Sequence, residues 1–269
     1  MKQETKAKVI TLTTDFDDRD GFVGAMKGVI LSINPSARLV DITHRVPRQD
    51  VFAGAMVLYN VCPYFPDGSI HVAVVDPGVG TDRTALTVVT ERAIFVLPDN
   101  GLLSFFSRKS PILEAYAITN SEYCRPEISN TFHGRDIFAP VAAHLSLGKP
   151  PSSVGPRVRD YQRIAFPEPT VSAGEIRGQI VYRDVYGNLI TNIEQGILAS
   201  PPKLWLAQAG EREVPFARSY GDVAPGCTLF CVGSSGFLEL AVNGGDAAAV
   251  LGMATGSAIV FRQIDTGAP

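Results

Sequence analysis

The sequence predicts an α/β domain followed by an all-β domain, and three observations carry that prediction. From Val9 onward, short β-branched runs alternate with amphipathic stretches; FPEPTVSAG at Phe166–Gly174 breaks the pattern; beyond it lie strand-like runs separated by turns. Strand-helix alternation implies a largely parallel sheet with helices on both faces. Evenly spaced short strands imply a small antiparallel barrel. The boundaries read as 1–166 for the N-terminal α/β domain, 167–174 for a linker and 175–269 for the C-terminal β-barrel domain.

The elements follow in order. VITLTT (9–14) reads as a strand. GFVGAMKGVILSI then sets Phe22, Met26, Val29, Ile30 and Ile33 on one helical face, with Asp20 as candidate N-cap and Asn34-Pro35 as the stop. ARLVDIT is a second strand, Asp50 caps a helix through VFAGAMVLYNVC, and HVAVV is a third strand. A hairpin-like pair in ALTVVTERAIFVLP precedes an expected helix at GLLSFFSRK, a strand at ILEAYAIT and a helix at DIFAPVAAHLSL. The second half supplies strands at GQIVYRD, NLITNI, KLWLAQA, CTLFCVG, FLELAV and AIVFRQI.

Composition removes several classes of function. With 269 residues, 45% hydrophobic and 19% charged, the chain can bury a sizeable core. A net charge of -3 without any basic block gives no general attraction to nucleic acid or anionic membrane. The longest apolar stretch, AAAVLGMATGSAIVF, is short of the ~20 residues a membrane helix needs. Cys62, Cys124, Cys227 and Cys231 form no CxxC and read as small apolar fillers of a reduced protein. MKQETKAK followed by VITLTT does not make a signal peptide, so the expected location is cytoplasmic.

One stretch poses a chemical question. HVAVVDPGVGTDR runs a strand into Asp76, Pro77, Gly78, Gly80 and Arg83. A dinucleotide loop needs a third glycine where Arg83 stands, and no Gly-Lys-Ser/Thr follows for a phosphate loop. The segment instead puts Asp76 at the carboxyl end of a buried strand and a glycine turn behind it that can return Arg83. Asp15 ends VITLTTD in the same way, and ligands of open parallel sheets bind beyond such strand ends. His133, before Gly134 at a helix entrance in TFHGRDIFAP, is a third candidate; Arg135 and Asp136 read as its scaffold. Asp17, Asp18 and Asp20 read as helix caps or partners of surface arginines. No metal site is expected, because His44, His71 and His144 fall in no HxxxH pair.

Taken together, TTDFDDRDGFVGAMKG, DPGVGTDR, PDNGLL, FHGRDIFAPVAAHL, DVYGNLITNI and SSGFLELAVNGG resemble the S-adenosyl-L-methionine (SAM) hydroxide adenosyltransferases, or SAM hydrolases, relatives of SAM-dependent fluorinating and chlorinating enzymes. The resemblance implies hydrolysis of SAM to adenosine and methionine by water attack at ribose C5′, with SAM as substrate and no cofactor. By it, Asp76, Arg83 and His133 match the catalytic triad, and Asp15 matches the residue holding the ribose hydroxyls. Asp184 and Ser234 match holders of the methionine ammonium, Asn188 and the Gly244 backbone match the adenine-edge contacts, and Tyr220 matches the stacking aromatic. Tyr186 stands where the family shows Phe. The family assembly is a homotrimer with substrate between the N-domain of one subunit and the C-domain of the next. The halogenating relatives carry an aromatic at the place of Asp76 and Tyr-Ser at the place of His133-Gly134, so a halide pocket is not expected here. The fluorinating enzyme has Ser-Arg at Ser234-Ser235, which leaves the carboxylate anchor open. A non-catalytic SAM sensor and a metal-dependent hydrolase are the competing classes.

Overall fold

The structure, a computed structural model, describes residues 8–264. The chain forms two compact units that divide between Ala165 and Phe166.

The first unit is a seven-stranded sheet with helices packed on it. In chain order its elements are β1 (Val9–Thr14), α1 (Phe22–Ile33), β2 (Arg38–Thr43), α2 (Val51–Val61), β3 (Ser69–Val74), β4 (Ala85–Thr90) and β5 (Ala93–Pro98). After these come β6 (Ile112–Ala117), α3 (Ala139–Ser146) and β7 (Arg157–Val158). The strand order is β2-β1-β3-β5-β4-β6-β7. Strands β2, β1, β3 and β5 pair in parallel, and β4 and β7 run against them, so β6 shares their direction. Central β3 is buried along its whole length. Its two polar side chains are both bonded: Ser69 Oγ donates to Pro66 O at 2.6 Å, and His71 bonds Thr11 Oγ1 at 2.7 Å and packs between Phe65 and Phe95.

Strand register decides where the site forms. Thr14 of β1 lies opposite Val74 of β3, so Asp15 and Asp76 emerge at the same carboxyl edge of adjacent parallel strands. Helix α1 buries Val23, Met26 and Ile30. Phe22 departs from the expected apolar face: it is 45% exposed and sits at the carboxyl edge with Phe16 and Phe132, at ring separations of 5.8 and 5.2 Å. Asp20 does not cap this helix; the N-cap is Gly21, with no side-chain bond. Asp50 does cap α2, accepting from Ala53 N at 2.9 Å.

The helix expected at GLLSFFSRK is absent. The segment is a run of turns ending in a short 3₁₀ turn, Phe106–Arg108. Gly101 enters it at φ +94, and Leu102, Leu103, Phe105 and Phe106 are all buried, an all-round apolar demand that a one-sided surface helix does not meet. The helix expected at DIFAPVAAHLSL begins with a π turn, Gly134–Phe138, before α3.

In the second unit every ladder between strands is antiparallel. Its strands are β8 (Thr170–Ser172), β9 (Glu175–Arg183), β10 (Leu189–Glu194), β11 (Trp205–Ala209), β12 (Arg212–Pro215), β13 (Thr228–Val232), β14 (Phe237–Val242) and β15 (Ala258–Gln263). They follow the order β12-β11-β15-β9-β10-β14-β13, with β8 added beside β9. A bridge from Phe216 to Phe230, with Ala217 N bonded to Phe230 O at 2.9 Å, brings the two ends together into a nearly closed barrel. Trp205, Phe230, Leu238, Leu240 and Phe261 fill it. Three elements lay outside the sequence reading: β8, a strand paired with β9 inside the 167–174 stretch read as a linker, charged β12, and α4 (Ala247–Leu251), which Asp246 caps through Ala249 N at 3.0 Å. Among the described residues no helix is long and apolar enough to cross a membrane.

Candidate active site

The DPGVGTDR turn closes as its glycines suggest. Val79 N bonds Asp76 O and Thr81 N bonds Gly78 O, both at 3.2 Å. Gly80 takes φ +79, and a Cβ there would stand 2.5 Å from the Asn130 carbonyl oxygen, so both conformation and space demand glycine. The turn lays Arg83 along Asp76. Nε bonds Oδ1 and Oδ2 at 3.0 and 3.1 Å, and Nη2 bonds Oδ2 at 2.5 Å. The same Nη2 reaches His133 Nδ1 at 2.7 Å. Side-chain exposures of 4% for Asp76 and 11% for Arg83 keep this fork out of bulk water, where such pairs are strongest.

The fork determines the state of His133. A guanidinium only donates, so Nδ1 must accept, and the neutral ring carries its proton on Nε2. Burial, followed by the charge of Arg83, holds the His133 pKa below the ordinary histidine value, consistent with that neutral form. The π turn that presents His133 is anchored by fully buried Asp136. Its carboxylate accepts from Ser129 N at 2.9 Å and Arg135 Nε at 2.6 Å, with Arg125 Nε at 3.3 Å. Burial raises the Asp136 pKa, but these bonds outweigh it and the net direction is downward. Arg135 and Asp136 therefore serve the scaffold, as the sequence suggested.

Asp76, His133 and Asp15 line one cavity of about 450 Å³, with Phe16, Phe22 and Phe132 forming an aromatic wall. Arg83 stands behind Asp76 and His133 rather than on the cavity surface. Asp15 Oδ2 accepts from Gln49 N at 2.8 Å. Gln49 and Asp17 have φ +62 each, the positive-φ non-glycine positions among the described residues, and both belong to the loops around Asp15.

The second unit holds the remaining candidates in a cavity of about 960 Å³: Asp184, Tyr186, Asn188, Tyr220, Ser234 and Gly244 all line it. Asp184 organises the β9–β10 turn, with Oδ1 accepting from Tyr186 N at 2.9 Å and Asn188 N at 2.8 Å. Tyr186 and Tyr220 are 76% and 44% exposed, two aromatic faces open to a planar ligand. The sequence reading missed Glu239, Cys231 and Arg218 in the same lining. Glu239 had a signal: it is the one acid in the apolar strand FLELAV. It is 6% exposed and accepts from the Tyr220 hydroxyl at 2.5 Å. The four cysteines are free; burial and Glu239 push the Cys231 thiol up to about 12. Among the described residues no group of three or more His, Cys, Asp or Glu is arranged to hold a metal ion.

Comparison with known proteins follows this division of the chain. Residues 10–155 match the model of the SAM hydroxide adenosyltransferase N-terminal domain, and residues 178–260 match that of its C-terminal domain. The (R)-S-adenosyl-L-methionine hydrolase of Salinispora tropica is 41% identical over 92% of this chain and 95% of its own. The enzyme of the same name from Thermus thermophilus is 37% identical over 90% of this chain and 95% of its own. A fluorinase from an Actinoplanes species is more distant, at 28% identity over 87% of this chain and 91% of its own. A solved structure described as an uncharacterized conserved protein from Thermotoga maritima superposes with a TM-score of 0.89 at 38% identity, covering 94% of this chain and all of that one. The chain belongs to the SAM hydroxide adenosyltransferase family.

Proposed function

We propose that the protein hydrolyses S-adenosyl-L-methionine to adenosine and L-methionine, acting on the R sulfonium epimer that its relatives' names specify. The observation that carries the reading is the fork in which one guanidinium holds Asp76 and His133 at the edge of a cavity shared with Asp15. No general acid is needed, because the leaving group is a neutral thioether expelled from a sulfonium. The demand falls on positioning and deprotonating water.

The tautomer assigns the roles. His133 Nδ1 is taken by Arg83, so its Nε2–H donates to the water and cannot take the water's proton. Asp76 is the acceptor. Water attacks C5′, the C5′–S bond breaks with its electron pair going to sulfur, and the proton passes to the Asp76 carboxylate. Arg83 acts through both partners and is a positioning residue. Asp15 holds the ribose hydroxyls, and the aromatic wall of Phe16, Phe22 and Phe132 keeps competing water out.

In the same reading the second cavity takes the rest of the substrate. Tyr220 stacks on the base, Tyr186 keeps a second aromatic plane, Asn188 and the Gly244 backbone meet the adenine edge, and Asp184 and Ser234 hold the ammonium. The working unit is a homotrimer with sites between subunits, acting in the cytoplasm without metal or cofactor. The test is incubation of the purified protein with resolved R and S epimers in metal-free buffer, with and without chloride. Adenosine and methionine are expected from the R epimer, with turnover cut ~10²–10⁴-fold in Asp76→Ala. Equal turnover by that variant would overturn the assignment, and tight binding without product would favour a sensor.

A further inference from the structure

Asn188 sits at the floor of the larger cavity, 6% exposed, and its amide hydrogens are already committed. Nδ2 donates to Asp184 Oδ2 at 2.8 Å and points its second hydrogen at the Tyr220 hydroxyl oxygen, 3.5 Å away. Both acceptors are fixed from behind. A carboxylate only accepts, so Asp184 demands the NH₂ end of the amide. Glu239 takes the Tyr220 proton at 2.5 Å, which leaves the phenol oxygen only its lone pairs to offer Asn188. No described protein group donates to Asn188 Oδ1. The amide therefore shows the cavity an acceptor.

We infer that Asp184 and Glu239 are positioning residues that set the polarity of the base-reading contact, so that the site selects a 6-aminopurine over a 6-oxopurine. The inference rests on the placement of the base proposed above. An exocyclic amine brings an N–H to Asn188 Oδ1. A 6-oxo group brings lone pairs against it, in a site where the amide cannot turn over without leaving Asp184 facing a second acceptor. Sites built around a buried hydrogen bond reject ligands that break it far more strongly than sites that only lose contact area. This role also accounts for Glu239, a nearly buried carboxylate whose protein partners are neutral donors, the hydroxyl of Tyr220 and the thiol of Cys231 at 3.6 Å.

The test is calorimetric binding of adenosine, purine riboside and inosine to the full-length protein, with thermal melts for every variant. For the wild type, adenosine is expected to bind ~10²-fold tighter than inosine, with purine riboside between. In Asp184→Asn, the new amide can offer either end, Asn188 is free to turn, and the preference should fall to within about 5-fold. None of the three nucleosides carries an amino acid, so a residue that only held the substrate ammonium would leave their ratios unchanged. Tyr220→Phe keeps the aromatic ring and releases one amide hydrogen; its preference should drop several-fold while its melt, lowered because Glu239 loses its hydroxyl partner, stays cooperative, which keeps the inference testable if Asp184→Asn folds poorly. Equal binding of adenosine and inosine by the wild type, or unchanged ratios in both variants, would overturn it. SAM turnover measured alongside separates the two claims: turnover without base preference refutes this inference alone, and no turnover refutes the reading beneath it.

Discussion

Replacing His133 by Asn and by Ala separates two mechanisms that share the same three residues. In the structure, His133 Nδ1 accepts from Arg83 Nη2 at 2.7 Å. An Asn side chain places Oδ1 close to where a histidine places Nδ1, and its NH₂ still faces outward as a donor. His133→Asn therefore keeps the fork, whereas His133→Ala leaves one guanidinium hydrogen unpaired at a site where Arg83 is 11% exposed. A hydrogen bond to a charged group is worth about 1.5–3 kcal/mol, so the alanine variant should lose roughly 10- to 10²-fold in kcat. The asparagine variant should stay within about 10-fold of wild type. The assay is chromatographic adenosine release, with kcat and KM measured from pH 5 to 9. Protonation would turn Nδ1 into a donor facing a donor, so the wild-type profile should fall on the acid side. The His133 pKa is lowered, which puts that limb below pH ~6.5, and His133→Asn should lack it. If His133 were the base, both variants should fall together, by up to ~10⁴-fold. That result would refute the tautomer argument and move the proton from Asp76 to His133.

Two further outcomes test the scaffold. Burial lowers the His71 pKa to about 4, against ~6.5 in the unfolded chain. Its neutrality therefore contributes about 3 kcal/mol of stability, present in full above pH 6.5 and lost as pH falls toward 4. Urea melts at pH 7 and pH 5 should show about 2 kcal/mol of that loss for wild type and a smaller loss for His71→Asn; equal losses would contradict it. Gly80→Ala meets an unfavourable φ and the Asn130 carbonyl, so it should cost at least ~1 kcal/mol and lower kcat with it. Gly24→Ala, inside α1 with open space around its Cβ, should instead stabilise by up to about 1 kcal/mol. Denaturant midpoints and turnover of the two variants should separate accordingly, and a Gly80→Ala enzyme with wild-type values would show that the turn does not depend on glycine.

Local chemistry was the legible part of this chain. Asp76, Pro77 and two glycines at the end of an apolar run fix a strand end and a turn, because few other conformations are open to them. The same logic found Asp50 as a cap and the short strands of the second unit. In two places the sequence misled. Exposed Asp20 precedes an amphipathic run yet does not cap it, because the helix starts one residue later, from Gly21, and GLLSFFSRK turns on itself with its apolar side chains buried. Phe22 looked like core and stands beside the site, since helical periodicity alone does not tell a core stripe from a cavity wall. Within the site, Asp15 was visible from its strand-end position and His133 from its helix entrance. The roles of Asn188, Tyr220 and Ser234 came from resemblance alone. Glu239 went unread because its meaning depends on a partner 19 positions away in the chain, Tyr220.

The most direct test of the central claim is turnover of (R)-S-adenosyl-L-methionine in ¹⁸O-water, with mass spectrometry of both products. Attack of an activated water at C5′ requires one ¹⁸O in adenosine, at the 5′ hydroxyl, and none in methionine, with the labelled product strongly reduced in Asp76→Ala. Label in the amino-acid product, or sulfur retained on the nucleoside, would mean that a different bond is broken and that the fork around Arg83 does not aim water at C5′.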